Sequence, residues 1–392
     1  MGENICIAIV DREENSRNIL KSYLSDIEGI DLLVEFDSTQ KASELLSSQN
    51  KGIVILDTSE NIDKAIEDIK QLTSLAKDLT IIATTNKVST DIIIKTLRAG
   101  AKDIITKPFI KTELTETIKK AISNIKEENK NETCKVISTF SNKGGIGKTS
   151  IAVNLALELA QATKEKVALI DLNLQLGDVA TFLDMTPTFA MDYIADNIDN
   201  LGEDELLKTL SRYKNTSLYV IADPINIDKS RDITANQIKC ILDTLKRTFS
   251  YIVIDIGTNI DTKTITALDM SDLILLIAIV NLPAIRSTQR CMDLFEKLGY
   301  SKDKVKLILN RHMENEDIKT TDIEDVVQQK VYWKIPNNYL TMVSAINKGV
   351  PVSEINPESN LARNYKEFSV KVSDYLITQK LNKMNNNQNF NI

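Results

Sequence analysis

One histidine, His312, stands in 392 residues, so neither a His-based metal centre nor a His-based catalytic cluster can be assembled from this chain. Cysteine is scarce as well. Cys6, Cys134, Cys240 and Cys291 lie far apart, with no Cys-x-x-Cys pair. That spacing speaks against metal ligation and suits small buried hydrophobes in a reducing cytoplasm. Positive charge is in deficit: 48 Lys and Arg face 55 Asp and Glu, for a formal net charge of −7. The chain as a whole is therefore no polyanion binder, and only a local basic patch stays open. No apolar run approaches the length of a membrane span, and Met1-Gly2-Glu3-Asn4 lacks the charge pattern of a signal peptide. Residues 273–280 are strongly apolar but short, as suits a buried parallel strand. No internal repeat is present.

What is there is enough apolar residue, 42% of the chain, to fill more than one core, and the length calls for two or three domains. The first 125 residues alternate strand and helix patterns. Strands are expected at 5–10, 30–36, 52–56, 80–84 and 103–105, and a closing helix at 112–125. Such alternation predicts a parallel sheet covered on both faces. A polar stretch without apolar periodicity, 126–134, reads as a linker that extends the preceding helix by a turn at most. A second alternation fills 135–381, with strands expected at 135–140, 167–171, 217–221, 251–255, 273–280 and 305–310. Late helices are expected at 322–329, 341–348 and 361–381. The Asn-rich tail, 382–392, is expected to be disordered. The fold class is thus α/β, with two doubly wound parallel-sheet domains.

The stretch Ser141-Asn142-Lys143-Gly144-Gly145-Ile146-Gly147-Lys148-Thr149-Ser150 sits between an apolar strand and a helix. Glycines at Gly144, Gly145 and Gly147 allow backbone N–H groups to turn inward around phosphate oxygens, and the helix start adds positive partial charge. Ile146 and Ser150 complete the cradle. Lys148 would reach the β- and γ-phosphates, and the Thr149 hydroxyl would ligate Mg²⁺. Residues 251–255 form an apolar strand ending in Asp255, placed to hold Mg²⁺ through water, and Gly257 follows it.

The form KGGIGKT, with the extra Lys143 and Asn142 in place of the usual first glycine, resembles the deviant Walker A loop of the ParA/MinD family. The resemblance implies ATP and Mg²⁺ as ligands and an ATP-dependent homodimer, with Lys143 reaching the partner's phosphates. Residues 167–178 resemble that family's switch I. Asp171 matches its first acid, while Asn173 replaces the second. An amide orients water but cannot take its proton, so slow hydrolysis is expected, with Lys143, Lys148, Asp171 and Asn173 as the catalytic set. Residues 307–311 resemble the strand ending in the base-contacting Asn, which would be Asn310, with Arg311 beside it. The loop around Pro336 resembles the adenine-flanking segment.

The N-terminal half resembles the receiver domain of two-component response regulators. Asp57 takes the phosphoacceptor position, Thr85 the hydroxyl position and Lys107 that of the lysine before Pro108. Asp11 matches the first of two adjacent acids that bind Mg²⁺, but Arg12 replaces the second. Arg12 is expected to carry positive charge into the cation site, with Glu13 and Glu14 the acids near enough to compensate. Ile105 stands where an aromatic is usual. A non-phosphorylated, protein-binding receiver is expected.

A receiver-like domain ahead of such an ATPase is similar to the TadZ/CpaE family. That resemblance implies a cytoplasmic positional scaffold for Flp/Tad pilus assembly, at the pole or the inner membrane face through partners, which would be Tad secretion proteins or a polar localisation factor. Three alternatives remain: a DNA-segregation ATPase, a MinD-like division-site regulator, and a phosphorylation-controlled regulator with ATPase output. The acidic balance disfavours sequence-specific nucleic acid. The stripe within 361–381 is expected to pack on the core rather than bind a membrane. Arg12 disfavours the third alternative.

Overall fold

The computed structural model describes residues 5–27, 30–46, 51–75, 78–87 and 89–389. The N-terminal four residues and 390–392 of the expected tail lie outside the described residues. The chain divides into two units, Met1–Asn129 and Lys130–Ile392.

The first unit carries five parallel strands: β1 (Ile5–Val10), β2 (Ile30–Phe36), β3 (Lys51–Asp57), β4 (Asp78–Thr85) and β5 (Asp103–Thr106), in the order β2-β1-β3-β4-β5. Successive side chains of a strand point to opposite faces, and here both are apolar. Ile7, Ile9, Ile53 and Ile55 meet Leu20 and Ile118 on one face. Ala8, Val10, Val54 and Leu56 meet Ile69 and Leu72 on the other. Strand order reverses at β1, between β2 and β3. This opens a crevice at their carboxyl ends, where Asp11 and Asp57 lie.

The second unit holds β6 (Lys135–Phe140), β7 (Val167–Asp171), β8 (Ser211–Arg212), β9 (Leu218–Ile221), β10 (Tyr251–Asp255), β11 (Leu273–Ile279), β12 (Val305–His312) and β13 (Val331–Pro336). Their order is β13-β12-β11-β6-β10-β7-β9-β8, and only the β8–β9 pair is antiparallel. The helix Lys148–Thr163 is buried without interruption from Ile151 to Ala160. A helix apolar all round must be covered on all sides. The sheet covers one side, and the other is covered by Leu361, Tyr365, Phe368, Val372 and Leu376 of the helix Asn360–Asn389. That C-terminal stripe therefore packs on the core.

Three segments differ from expectation. The polar stretch 126–133 is helical, because the helix Lys111–Thr133 meets no Gly or Pro to stop it. For the same reason the last helix runs on to Asn389 through the tail expected to lack structure. Residues 334–336, expected as a loop, end the edge strand β13, where a proline is tolerated. Among the described residues no helix is long and apolar enough to cross a membrane.

Candidate functional site

The turn between β6 and the helix Lys148–Thr163 is built by two left-handed glycines, Gly145 (φ 71°) and Gly147 (φ 98°). A side chain at Gly147 would also collide with Asn310, whose Nδ2 lies 2.3 Å from where a Cβ would stand. Three side chains hold loop carbonyls. Asn310 Nδ2 donates to the Ile146 carbonyl at 2.7 Å, and Arg311 Nη2 donates to the Gly145 carbonyl at 2.8 Å. Lys148 Nζ donates to the Lys143 carbonyl at 3.2 Å. With these carbonyls engaged, N–H groups of the loop are left for an anion.

A cavity of about 410 Å³ opens over this loop, within the range of small-molecule sites. Gly144, Gly145, Gly147, Lys148, Thr149 and Ser150 line it, joined by Asn173, Asp255 and Arg311. Lys143, Ile146, Asp171, Asn310 and Pro336 are not among the lining residues. Asn310 grips the loop with Nδ2 and accepts the Arg311 N–H with Oδ1, so its amide faces protein where a contact to the base was expected. Among the described residues the Lys143 ammonium has no hydrogen-bond or ion-pair partner.

Beneath the cavity the parallel register sets Asp171 beside Asp255. Thr149 donates its hydroxyl to Asp255 Oδ2 at 2.5 Å, and Thr139 donates to Oδ1 at 3.2 Å. Burial pushes the Asp255 carboxyl up to about 6, against the opposing pull of the Thr149 hydrogen bond and Lys148. Asp171 accepts the N–H groups of Asn173 and Val179 at 3.0 Å each. Burial, then the charge of Asp255, holds its carboxyl well above the usual range. Burial draws Lys148 down, with Asp255 opposing. Two crowded carboxylates and a hydroxyl form an oxygen-only donor set that fits Mg²⁺, whose charge would relieve them. Among the described residues no group of three or more His, Cys, Asp and Glu is placed to hold a metal ion, so the donor set here is two carboxylates and a hydroxyl.

Sequence reasoning missed three residues here. Asp178 lines the cavity. Thr139 supports Asp255, and Asp223 accepts the Gly177 N–H at 3.1 Å. The acid at 178 was visible in the motif. The contacts of the other two join segments distant in sequence and left no local signal.

In the first unit Lys107 Nζ lies 2.8 Å from both Asp11 Oδ2 and Asp57 Oδ1. Burial works against its charge, yet the hydrogen bonds and charges of the two acids raise it above its ordinary value. Arg12 lines the pocket beside Asp11 and Asp57 but forms no ion pair with either acid. It is 60% exposed and pairs with Glu60 at 2.7 Å, so the cation between the acids is Lys107. Glu13 lies 4.0 Å from the same ammonium. Thr85 faces away, its hydroxyl on the Lys87 carbonyl, and Thr84 donates to Asp57 at 3.3 Å instead. Ser59 donates to the same oxygen at 2.7 Å. Ile105 is buried in the core.

A response regulator receiver domain model matches residues 7–119, and an AAA domain model matches residues 134–315. The septum site-determining protein MinD of Thermotoga maritima is 30% identical over 242 residues, covering 60% of this chain and 87% of that protein. MinD of Synechocystis sp. is 28% identical over 224 residues, covering 56% and 81%. Among solved structures, a ParA family ATPase from Chlorobium tepidum aligns with a TM-score of 0.58 at 24% identity, covering 60% of this chain and 98% of that one. MinD from Pyrococcus horikoshii, complexed with Mg-ADP, aligns with a TM-score of 0.55 at 20% identity, covering 63% and 98%. At these identities the structural likeness speaks to the fold alone.

Proposed function

Because the chain belongs to the ParA/MinD family of ATPases, with a response regulator receiver domain ahead of that fold, we propose that it is an ATP-controlled positional scaffold. The observation that carries this reading is Lys143. It sits in the phosphate loop, outside the cavity lining, with no partner for its ammonium among the described residues. A second copy docked on this face would offer it phosphate oxygens. Dimerisation would then depend on the nucleotide that both copies hold.

The surrounding surface supports the same docking. Leu176, Ile225, Leu282, Met313, Tyr339 and Leu340 are exposed, with Leu340 at 80%. Each follows the carboxyl end of a parallel strand, the edge on which the phosphate loop also lies. Exposed apolar residues on the edge that carries the phosphate loop fit an association surface.

ATP would lie with its phosphates on the N–H groups of residues 144–150 and on Lys148. Mg²⁺ would sit at Thr149 and Asp255, with Asp171 behind, and supply charge stabilisation at the phosphates. Asn173 makes turnover slow. In the receiver-like domain, Lys107 already bridges the acids that would hold a cation, so partner binding takes the place of phosphorylation. Domain order and motifs support a scaffold for Flp/Tad pilus assembly, located in the cytoplasm at the pole or at the inner membrane face through partners. The MinD relatives favour a second reading, placement of the division site.

A deletion strain separates the two. Loss of surface pili with normally placed septa supports the pilus reading. Misplaced septa with intact pili support the division reading. A strain with normal pili and normal septa would contradict both.

A further inference from the structure

This inference rests on the ATP-hydrolysis part of the reading above. Asn173 cannot accept a proton, so the water that attacks ATP needs another acceptor. Three of the four acids around the cavity are committed. Asp171 accepts the N–H groups of Asn173 and Val179 with its two oxygens. Asp255 accepts hydroxyls from Thr139 and Thr149, again one on each oxygen. Asp223 accepts the Gly177 N–H and is not among the lining residues. Asp178 differs on each count. It is exposed, it lines the cavity with Lys148, Thr149 and Asn173, and among the described residues its carboxylate makes no hydrogen bond or ion pair. Its charge is felt at Asp255, where it adds to the rise of that carboxyl.

We propose that Asp178 accepts the proton of the attacking water, in the place left by the missing acid at 173. Asn173 donates its Nδ2 to the Leu176 carbonyl, which fixes the amide. Its Oδ1 lies toward Gly257, 3.3 Å from where a Cβ there would stand, and is free to accept one O–H of the water. The water oxygen bonds to the γ-phosphorus as the bond from that phosphorus to the bridging oxygen breaks. ADP leaves with the electron pair of that bond. The second water proton passes to the Asp178 carboxylate and then to the released phosphate or to solvent. Two residues divide between them what one acid would do, so turnover is slow but not absent.

The test uses the full chain and four forms: wild type, Asp178→Asn, Asn173→Asp and the double variant. Single-turnover hydrolysis, affinity for a fluorescent non-hydrolysable ATP analogue, and the ATP-to-ADP ratio recovered from the purified protein are measured on each. Asp178→Asn is expected to slow hydrolysis by about 10²-fold with analogue affinity unchanged, the lower range for a general base. The recovered nucleotide shifts from ADP to ATP. In the Asn173→Asp background the same replacement costs roughly tenfold or less, because a second carboxylate stands in the cavity. A merely structural role would give equal losses in both backgrounds. Unchanged hydrolysis in Asp178→Asn, or loss of analogue binding in that variant, would overturn the proposal. So would a wild type that binds ATP and never hydrolyses it. A wild type that fails to bind the analogue would remove the nucleotide reading itself.

Discussion

Replacing Asp255 by Asn should make the nucleotide-free protein more stable and end its response to Mg-ATP. Asp255 is held as a carboxyl raised from 3.8 to about 6, chiefly by burial. That rise is worth about 3 kcal/mol against the charged form. A carboxyl with a native value above its unfolded one holds a proton that the unfolded chain has released. Its contribution to stability is thus full below about 3.8 and is lost as pH rises through about 6. Asn keeps the shape without the charge. An amide has one acceptor oxygen where the carboxyl has two, so one of the bonds from Thr139 and Thr149 is lost at about 1–2 kcal/mol, which leaves a net gain of roughly 1–2 kcal/mol at pH 8. Relief of Asp171, whose carboxyl the Asp255 charge raises, acts in the same direction. For a unit of this size the gain is roughly 3–6 °C in Tm. The assay is a thermal melt in EDTA at pH 5 and pH 8, repeated with Mg-ATP at pH 8. The variant should lead wild type at pH 8 and lose most of that lead at pH 5. Mg-ATP should raise wild type only. A variant that melts below wild type at pH 8, or with an equal offset at both pH values, would refute the reasoning.

Other substitutions probe the same construction. Gly177→Ala would place a Cβ 2.4 Å from Asp171 Oδ2 and 2.6 Å from Asp223 Cγ, so nucleotide affinity should fall at least about tenfold even where the fold survives by circular dichroism. Lys107→Ala leaves Asp11 and Asp57 facing each other unpaired and should destabilise the first unit by about 3 kcal/mol at neutral pH, read in urea melts. Phosphate-affinity gels after incubation with acetyl phosphate and Mg²⁺ should show no stoichiometric modification at Asp57. Full modification would mean that Lys107 yields its place to a cation.

Both α/β units and the phosphate loop could be read from the sequence because their signals are local. Apolar runs such as 251–255 and 167–171 became β10 and β7 with the expected bounds. The glycines at 145 and 147 take the left-handed backbone that the loop requires. What stayed hidden depends on direction and on distant partners. A strand alternates its side chains, so a one-residue difference exchanges Thr85 for Thr84 at Asp57. The Arg12 side chain had several acids within reach, and its partner is Glu60, 48 residues away in sequence. Asn310 grips the phosphate loop across 164 residues of sequence. The edge strand β13 was concealed by its half-buried pattern and its terminal proline.

Solution mass by light scattering, with Mg-ATP, Mg-ADP and no nucleotide, on wild type and Lys143→Ala, tests the switch most directly. A dimer seen only with ATP, and lost in the variant, is the expected result. A dimer under every condition, or one that Lys143→Ala leaves intact, would contradict a nucleotide switch that works through Lys143.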